Sequence, residues 1–129
     1  VDVTDIPDTV PAVAVAAAYA KGTTVISGGE RLRLKESDRI TSVVSNLKKM
    51  GVDACERQDG MVIVGGEPHG AMLDGYNDHR IAMAFSVAAL CANGETQISD
   101  AQSVNKTYPD FYNDYNSLGG KADVICDMR

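Results

Sequence analysis

The chain repeats a pattern of residues at an interval of about 70 positions, and this repeat constrains its fold more than any other feature. Matched residues stand 69 to 72 positions apart: Asp8 and Asp78, Gly22 and Gly94, Ser27 and Ser99, Lys35 and Lys106, and Gly51 and Gly120. Self-similarity of this kind is typical of a duplicated structural unit. The sequence therefore predicts one domain of two units, about residues 1–66 and 67–129.

Each unit alternates helical and extended patterns. Predicted helices run from Thr9 to Ala20 with Asp8 as N-cap, from Ser37 or Asp38 to Gly51, from "NDHR" to Gly94, and onward from Thr107. Predicted strands are "TTVIS", "TQIS", "ADVIC", a short extended "RLRL", and the hairpin "VDACERQDGMVIV" with its turn at Asp59-Gly60. The second helix has apolar residues at the spacing of one helical face, which predicts its core side: Ile40, Val43, Val44, Leu47 and Met50. The order of helices and strands predicts an α/β fold in which helices pack beneath shared sheets.

The charge balance narrows the classes of partner. There are 18 acidic and 12 basic residues, so the net charge of −6 disfavours nonspecific binding to nucleic acid or to an anionic membrane. The longest apolar run, Ile81 to Ala92, is too short to span a bilayer, and no signal peptide pattern opens the sequence. A cytoplasmic location is therefore expected.

The third predicted helix is apolar almost all round, which predicts burial on most sides. Cys91 lies in this helix and is expected to be a core residue. The other cysteines, Cys55 and Cys126, are widely spaced and form no CxxC pair, so neither a disulfide framework nor a zinc site is predicted.

Charged residues gather at or just before the predicted helix starts: Asp8, Lys35, Glu36, Arg39, Asp78, His79, Arg80 and Lys106. Helix N-termini with added arginine and lysine side chains suit phosphate or carboxylate groups. Two of the carboxylates, Asp8 and Glu36, can add a base and an acid. Taken singly, the same residues also fit ordinary helix caps and solvated surface. No histidine pair has metal-ligand spacing, and no glycine-rich phosphate loop is present.

Four segments carry a resemblance to a known family: "DIPDTVP", "LRLKESDRI", "GYNDHRIAMAF" and "NKTYPDFY". In this order they resemble the C-terminal part of 5-enolpyruvylshikimate-3-phosphate synthases. The resemblance implies repeated βαβαββ units belonging to an inverse α/β barrel domain. It also implies that the chain holds about two of six units and lacks the family's N-terminal domain, which would be its partner.

The resemblance further implies an activity. Members of this family transfer the enolpyruvyl group of phosphoenolpyruvate to the 5-hydroxyl of shikimate 3-phosphate and release phosphate, with no metal and no organic cofactor. By motif position, Asp8 would accept a proton and Glu36 would donate one. The substrate contacts implied are Asp8, Arg31 and Lys35 for shikimate 3-phosphate, and Arg39, His79, Arg80 and Lys106 for phosphoenolpyruvate. One family pattern has asparagine where this chain has Arg31.

Two other functions remain open. The first follows from the resemblance and is the related transfer to UDP-N-acetylglucosamine, which uses the same reaction type on a different acceptor. The other is a non-catalytic module that binds a phosphate or another anion through the same cations. If the chain carries half of a transferase site, we expect it to be inactive by itself, since catalysis needs both substrates oriented in a closed cleft.

Overall fold

The structure, a computed structural model, describes residues 1–123. Its helices are α1 (Val10–Tyr19), α2 (Arg39–Lys49), α3 (His79–Cys91) and α4 (Phe111–Ser117). Its strands are β1 (Thr23–Ile26), β2 (Asp53–Arg57), β3 (Gly60–Val64), β4 (Met72–Asp74) and β5 (Gln97–Ser99). Short 3₁₀ segments span Pro7–Thr9, Glu30–Leu34 and Ala101–Lys106. This mixture of helices and strands confirms the predicted α/β class.

The strands form two small sheets. One has three antiparallel strands in the order β1-β3-β2, and the other pairs β4 with β5 in parallel. In the central strand β3, Met61 and Ile63 face the core, whereas Val64 is exposed. Strand β4 reaches its parallel neighbour only by crossing over through α3, as parallel pairing requires.

Three helices build the core with these sheets. Helix α2 packs against β2, while α1 contacts β3, α2 and α3. The apolar face predicted for α2 is confirmed, since Ile40, Val43, Val44 and Leu47 are all buried. The aspartates that precede α2 and α3 cap them: Asp38 accepts a hydrogen bond from the amide of Thr41, and Asp78 accepts one from the amide of Arg80.

Four local predictions are wrong. Asp8 is not the N-cap of α1, because the 3₁₀ segment Pro7–Thr9 precedes the helix and leaves Thr9 at that position. The "RLRL" segment is 3₁₀ rather than extended, since its Leu32 turns into the core. The hairpin turn is Gln58-Asp59, and Gly60 already pairs with Arg57 inside the sheet. Only glycine fits there, because a Cβ would lie 1.8 Å from the carbonyl oxygen of Ile26.

The fourth wrong prediction concerns α3. Cys91 is exposed, and Val87 and Leu90 are 50% and 52% exposed. Helix α3 is buried on the side that meets α1, α2 and the segment Ala101–Lys106, and its opposite side is left uncovered within residues 1–123. The predicted strand "ADVIC" lies mostly outside the described residues. No helix within the described range is long and apolar enough to cross a membrane.

Corresponding backbone contacts occur 72 residues apart. Asp2 pairs in parallel with Ser27, just as Asp74 pairs with Ser99. The carboxylate of Asp2 accepts from the amide two residues later, and so does that of Asp74. The division into units near residue 66 stays a prediction, and these matched contacts favour it.

Candidate active site

The predicted site residues converge where α2 and α3 begin, beside the 3₁₀ segment that precedes α1. Ion pairs join Asp8 to Lys35, Arg39 and Arg80, and Glu36 to Arg39. His79 lies in the same cluster, with a ring nitrogen within 4.8 Å of carboxylate oxygens of Glu36 and Asp78. Six of the eight predicted residues therefore form one charged group: Asp8, Lys35, Glu36, Arg39, His79 and Arg80.

Arg39 is the centre of the group, and its side chain is only 1% exposed. Its Nε and Nη2 donate to the Asp78 carboxylate at 2.9 and 3.2 Å, and its Nη1 donates to Oδ1 of Asp8 at 3.1 Å. Nη2 also donates to Glu36. A buried guanidinium needs such compensation, because removal from water costs several kcal/mol per ion, about what good partners return. Arg39 thus orders all three carboxylates around one planar group.

Asp78 is the main partner of Arg39, a role that is not predicted from the sequence. It is fully buried and accepts four hydrogen bonds: two from Arg39, one from the Ser37 hydroxyl at 2.9 Å and one from the amide of Arg80 at 3.0 Å. An aspartate before a helix is explained locally by capping. Its pairing with Arg39, 39 residues away, becomes visible only in the folded chain.

The protonation of Asp78 is tuned by these contacts. Burial by itself raises the pKa of this carboxyl group, but the hydrogen bonds from Arg39 and Ser37 and the charge of Arg39 outweigh burial and lower the pKa below its ordinary value of 3.8. The unfolded chain therefore binds this proton more readily than the folded chain does. Asp78 stabilises the fold above the ordinary pKa, and that contribution is lost as the pH falls through the lowered value.

We therefore expect an acid-dependent loss of stability that depends on Asp78. The melting temperature should fall as the pH is lowered from about 5 to about 3, and it should fall less steeply in Asp78→Asn, which has no such carboxyl to protonate. Thermal unfolding followed by circular dichroism at several pH values measures how the melting temperature changes with pH in both proteins. Equal slopes in the two proteins would contradict this account.

Asp8 faces the opening of the site and its side chain is 49% exposed. Its oxygens lie 3.4 Å from Nζ of Lys35 and 3.9 Å from Nη2 of Arg80. Partial burial raises the pKa of Asp8, while the hydrogen bond from Lys35 and the charges of Lys35, Arg80 and Arg39 lower it, and the net change is downward. At neutral pH Asp8 is a carboxylate, which is the form that a proton acceptor requires.

Glu36 and His79 lie close to each other, and Glu36 is bonded to Arg39. The Glu36 side chain is 43% exposed, so this carboxyl group is held by Arg39 and still accessible. Nδ1 of His79 is buried and has no hydrogen-bond partner among the described residues. A buried polar atom without a partner is costly, so this nitrogen is suited to contact a bound ligand.

Glu36, Asp78 and His79 have the donor types and the proximity of a metal site, since their donor atoms lie within 4.8 Å of one another. Arg39, however, already bonds to both carboxylates and supplies their positive charge. A metal ion would have to displace a buried guanidinium, so we assign no metal to this group.

The remaining two predicted residues lie outside the ion-pair network. Lys106 ends the third 3₁₀ segment and donates to the carbonyl oxygen of Asn77, which places it beside the start of α3. Arg31 is exposed and makes no hydrogen bond or ion pair within the described residues. The structure thus brings Lys106 to the edge of the site, and the substrate contact of Arg31 stays a prediction.

A cavity of about 250 Å³ opens next to the charged group, with Asp8 and Arg80 at its polar end. Its other walls come from α1, α3 and the start of α4: Pro11, Ala12, Val15, Met83, Ala84, Val87 and Phe111. These walls are apolar and do not suit an anion. An anionic ligand is therefore expected to bind over the charged group, outside this cavity.

A family model described as "EPSP synthase (3-phosphoshikimate 1-carboxyvinyltransferase)" matches residues 1–115 of the chain. Among curated proteins, the 3-phosphoshikimate 1-carboxyvinyltransferase of Methanocella arvoryzae is 50% identical over 96% of this chain, and that of Dehalococcoides mccartyi is 51% identical over 94%. In both cases the match covers 29% of the relative. The chain therefore spans less than a third of the length of these proteins.

Solved structures agree with this assignment. An EPSP synthase from Acinetobacter baumannii superposes with a TM-score of 0.83 at 35% identity, over 90% of this chain and 27% of that one. The enolpyruvyl transferase NikO of Streptomyces tendae has a TM-score of 0.68 at 24% identity, over 88% of this chain and 25% of that one. At this identity the match shows a shared fold only. The match to the family model, the identity to curated relatives and the shared fold together show that this chain belongs to the EPSP synthase family.

Proposed function

We propose that this chain forms part of an enzyme that transfers the enolpyruvyl group of phosphoenolpyruvate to the 5-hydroxyl of shikimate 3-phosphate. The observation that carries the proposal is the arrangement around Arg39. Two partly exposed carboxylates, Asp8 and Glu36, are held by the same buried guanidinium, and Lys35 and Arg80 border Asp8. An acid, a base and cations are the groups that this reaction uses.

The addition step needs two proton transfers. In the addition step the hydroxyl oxygen of shikimate 3-phosphate forms a bond to C2 of phosphoenolpyruvate, its proton passes to Asp8, and the methylene carbon takes a proton from the carboxylic acid form of Glu36. In the elimination step the new methyl group returns a proton to Glu36, the double bond re-forms, and the bond between C2 and the phosphate oxygen breaks. The leaving phosphate takes the proton that Asp8 holds. Asp8 and Glu36 accept from different nitrogens of Arg39, Nη1 and Nη2, so the two carboxyl groups occupy separate positions, as a separate base and acid would.

The cations are assigned by charge and position. We assign Arg80 and Lys106 to the phosphate and carboxylate of phosphoenolpyruvate, with His79 lining the same place through its unpartnered Nδ1. Arg39 is assigned to the same substrate on the resemblance. Because Arg39 is 1% exposed and already bonded to three carboxylates, it must release Asp8 or Glu36 to bind the substrate. Lys35 is assigned to shikimate 3-phosphate, since it lies 3.4 Å from the proposed base. Arg31 remains a candidate contact to the same substrate on the resemblance alone.

The pairing within the group supports the expectation that this chain is inactive alone. The carboxyl groups of Asp8, Glu36 and Asp78 already occupy the cations Lys35, Arg39 and Arg80. The two substrates bring two phosphates and two carboxylates, so further cations are required to stabilise them. We propose that the N-terminal domain of the longer enzyme supplies these cations, and that the enzyme works in the cytoplasm.

Growth complementation tests the proposal. The longer gene that encodes this chain should restore growth of a strain that requires aromatic amino acids because it lacks this transferase. The purified 129-residue chain should release no phosphate from phosphoenolpyruvate and shikimate 3-phosphate. Transfer to UDP-N-acetylglucosamine in place of shikimate 3-phosphate would overturn the assigned acceptor, and turnover by the chain alone would contradict the half-site.

A further inference from the structure

Arg33 forms a second arginine-centred cluster, on the side of the site that faces the β2-β3 hairpin. Its Nε donates to the carbonyl oxygen of Gln58 at 3.0 Å and its Nη2 to that of Arg57 at 2.7 Å. Its Nη1 donates to Asp38 at 3.0 Å and to Glu56 at 2.7 Å. All three guanidinium nitrogens are used, and two of their four acceptors are carboxylates.

These contacts close a loop. Arg33 and Asp38 flank the segment 34–37, and their ion pair joins its two ends directly. Asp38 also caps α2, and the hydroxyl of Thr41 donates to the Glu56 carboxylate that Arg33 binds. The start of α2, the end of the preceding 3₁₀ segment and the hairpin are thus tied together through one side chain.

The enclosed segment holds two residues to which chemistry has been assigned. This segment has no buried apolar side chain, since its Leu34 is 87% exposed. Glu36 also lies on the surface. Within the described residues the Glu36 side chain is held only by Arg39, and that of Lys35 only by Asp8. The Ser37 hydroxyl donates to the buried Asp78 at 2.9 Å and fixes the end of the segment next to α2. The backbone at Lys35 and Glu36 therefore depends on how the other end, at Arg33, is held.

We propose that Arg33 is a positioning residue, which acts on the reaction by fixing the segment that carries Lys35 and Glu36 against the β2-β3 hairpin. This inference rests on the proposed function for its effect on turnover. Its geometric part, that Arg33 restrains this segment, is independent of which reaction takes place. Lysine is a poor substitute because one ammonium group cannot reproduce a planar fork that serves four acceptors.

The test uses the longer enzyme and compares Arg33→Gln with a matched control, Arg57→Gln. Arg57 lies in the same hairpin and is exposed, and its side chain makes no hydrogen bond or ion pair within residues 1–123. We expect Arg33→Gln to lower kcat/KM at least about tenfold, as misplacement of a reacting group does, and Arg57→Gln to change it by less than about twofold. Equal effects of the two substitutions would overturn the proposal.

A combined substitution separates positioning from general destabilisation. If Arg33 acts through Lys35 and Glu36, then adding Arg33→Gln to an enzyme that already carries Lys35→Met and Glu36→Gln should lower kcat/KM little further, since both groups being positioned are already gone. Losses that multiply in this combined variant would show that Arg33 acts elsewhere, and would overturn the proposal.

Limited proteolysis gives a readout that does not depend on activity. A protease that cleaves after glutamate should cut after Glu36 at least about tenfold faster in Arg33→Gln than in Arg57→Gln, with cleavage after the exposed Glu67 unchanged. Faster cleavage at both sites, or at neither, would overturn the restraint. If the unaltered enzyme fails to transfer the enolpyruvyl group, the proposed function is wrong, and the proteolysis still decides the role of Arg33.

Discussion

Asp78→Ala is expected to lower the free energy of unfolding by about 3–5 kcal/mol, because it leaves the guanidinium of Arg39 buried without its main partner. Arg39 is 1% exposed and Asp78 is fully buried, so water cannot replace the lost carboxylate without rearrangement of the helix starts. The substitution also removes the cap of α3. Urea unfolding of the altered and unaltered proteins gives the two free energies of unfolding. They are compared directly when the free energy falls with urea concentration at the same slope in both proteins.

The control for this prediction is Asp53→Ala, which removes the same carboxylate from an exposed position in β2. It should change the free energy of unfolding by less than about 0.5 kcal/mol, as exposed substitutions usually do. Asp78→Asn should fall between the two, since the amide keeps one acceptor but loses the charge. If Asp78→Ala costs no more than Asp53→Ala, then the buried pair does not hold the helix starts together.

Glu36→Gln is expected to lower kcat of the longer enzyme about 100-fold or more, because an amide cannot donate the proton that the methylene carbon requires. The side chain is 43% exposed and makes its ion pair with Arg39 only, so the fold should tolerate the change. Steady-state release of phosphate measures kcat, and the melting temperature should shift by only a few degrees.

The matched control for this substitution is Glu67→Gln, which makes the same change at an exposed position in the loop after β3. Its kcat should stay within about twofold of the unaltered enzyme. A Glu36→Gln enzyme that retains more than about a tenth of the unaltered kcat would assign the proton donor to another group. His79 is the neighbouring candidate, since it shares the cluster with Glu36.

Helix α2 shows how far periodicity alone reaches. Its apolar spacing, the capping residue Asp38 and the terminating Gly51 are all local signals, and each of them is confirmed by the structure. Helix α3 shows the limit. An apolar sequence indicates that burial is favourable, but which faces are covered depends on neighbours, and Val87 and Cys91 remain exposed within residues 1–123.

The site shows the same division. The motif positions predicted one site that contains Asp8, Glu36, Arg39 and Arg80, and ion pairs connect these four residues in the structure. Their pairing could not be read from the sequence, because each charged residue near a helix start has several possible partners of opposite sign. Capping of α3 is enough to explain an aspartate at position 78, so nothing in the sequence indicates the ion pair between Asp78 and Arg39.

The sequence by itself determined the α/β class, the core face of α2 and the set of residues from which the site is built, because these follow from periodicity, capping and residue chemistry. Only the tertiary structure decided that Arg39 is buried and bonded to three carboxylates. It also decided that Arg33 fixes the segment that carries Lys35 and Glu36. The physical reason is distance along the chain. Ion pairs between residues tens of positions apart form only after packing has brought the helix starts together.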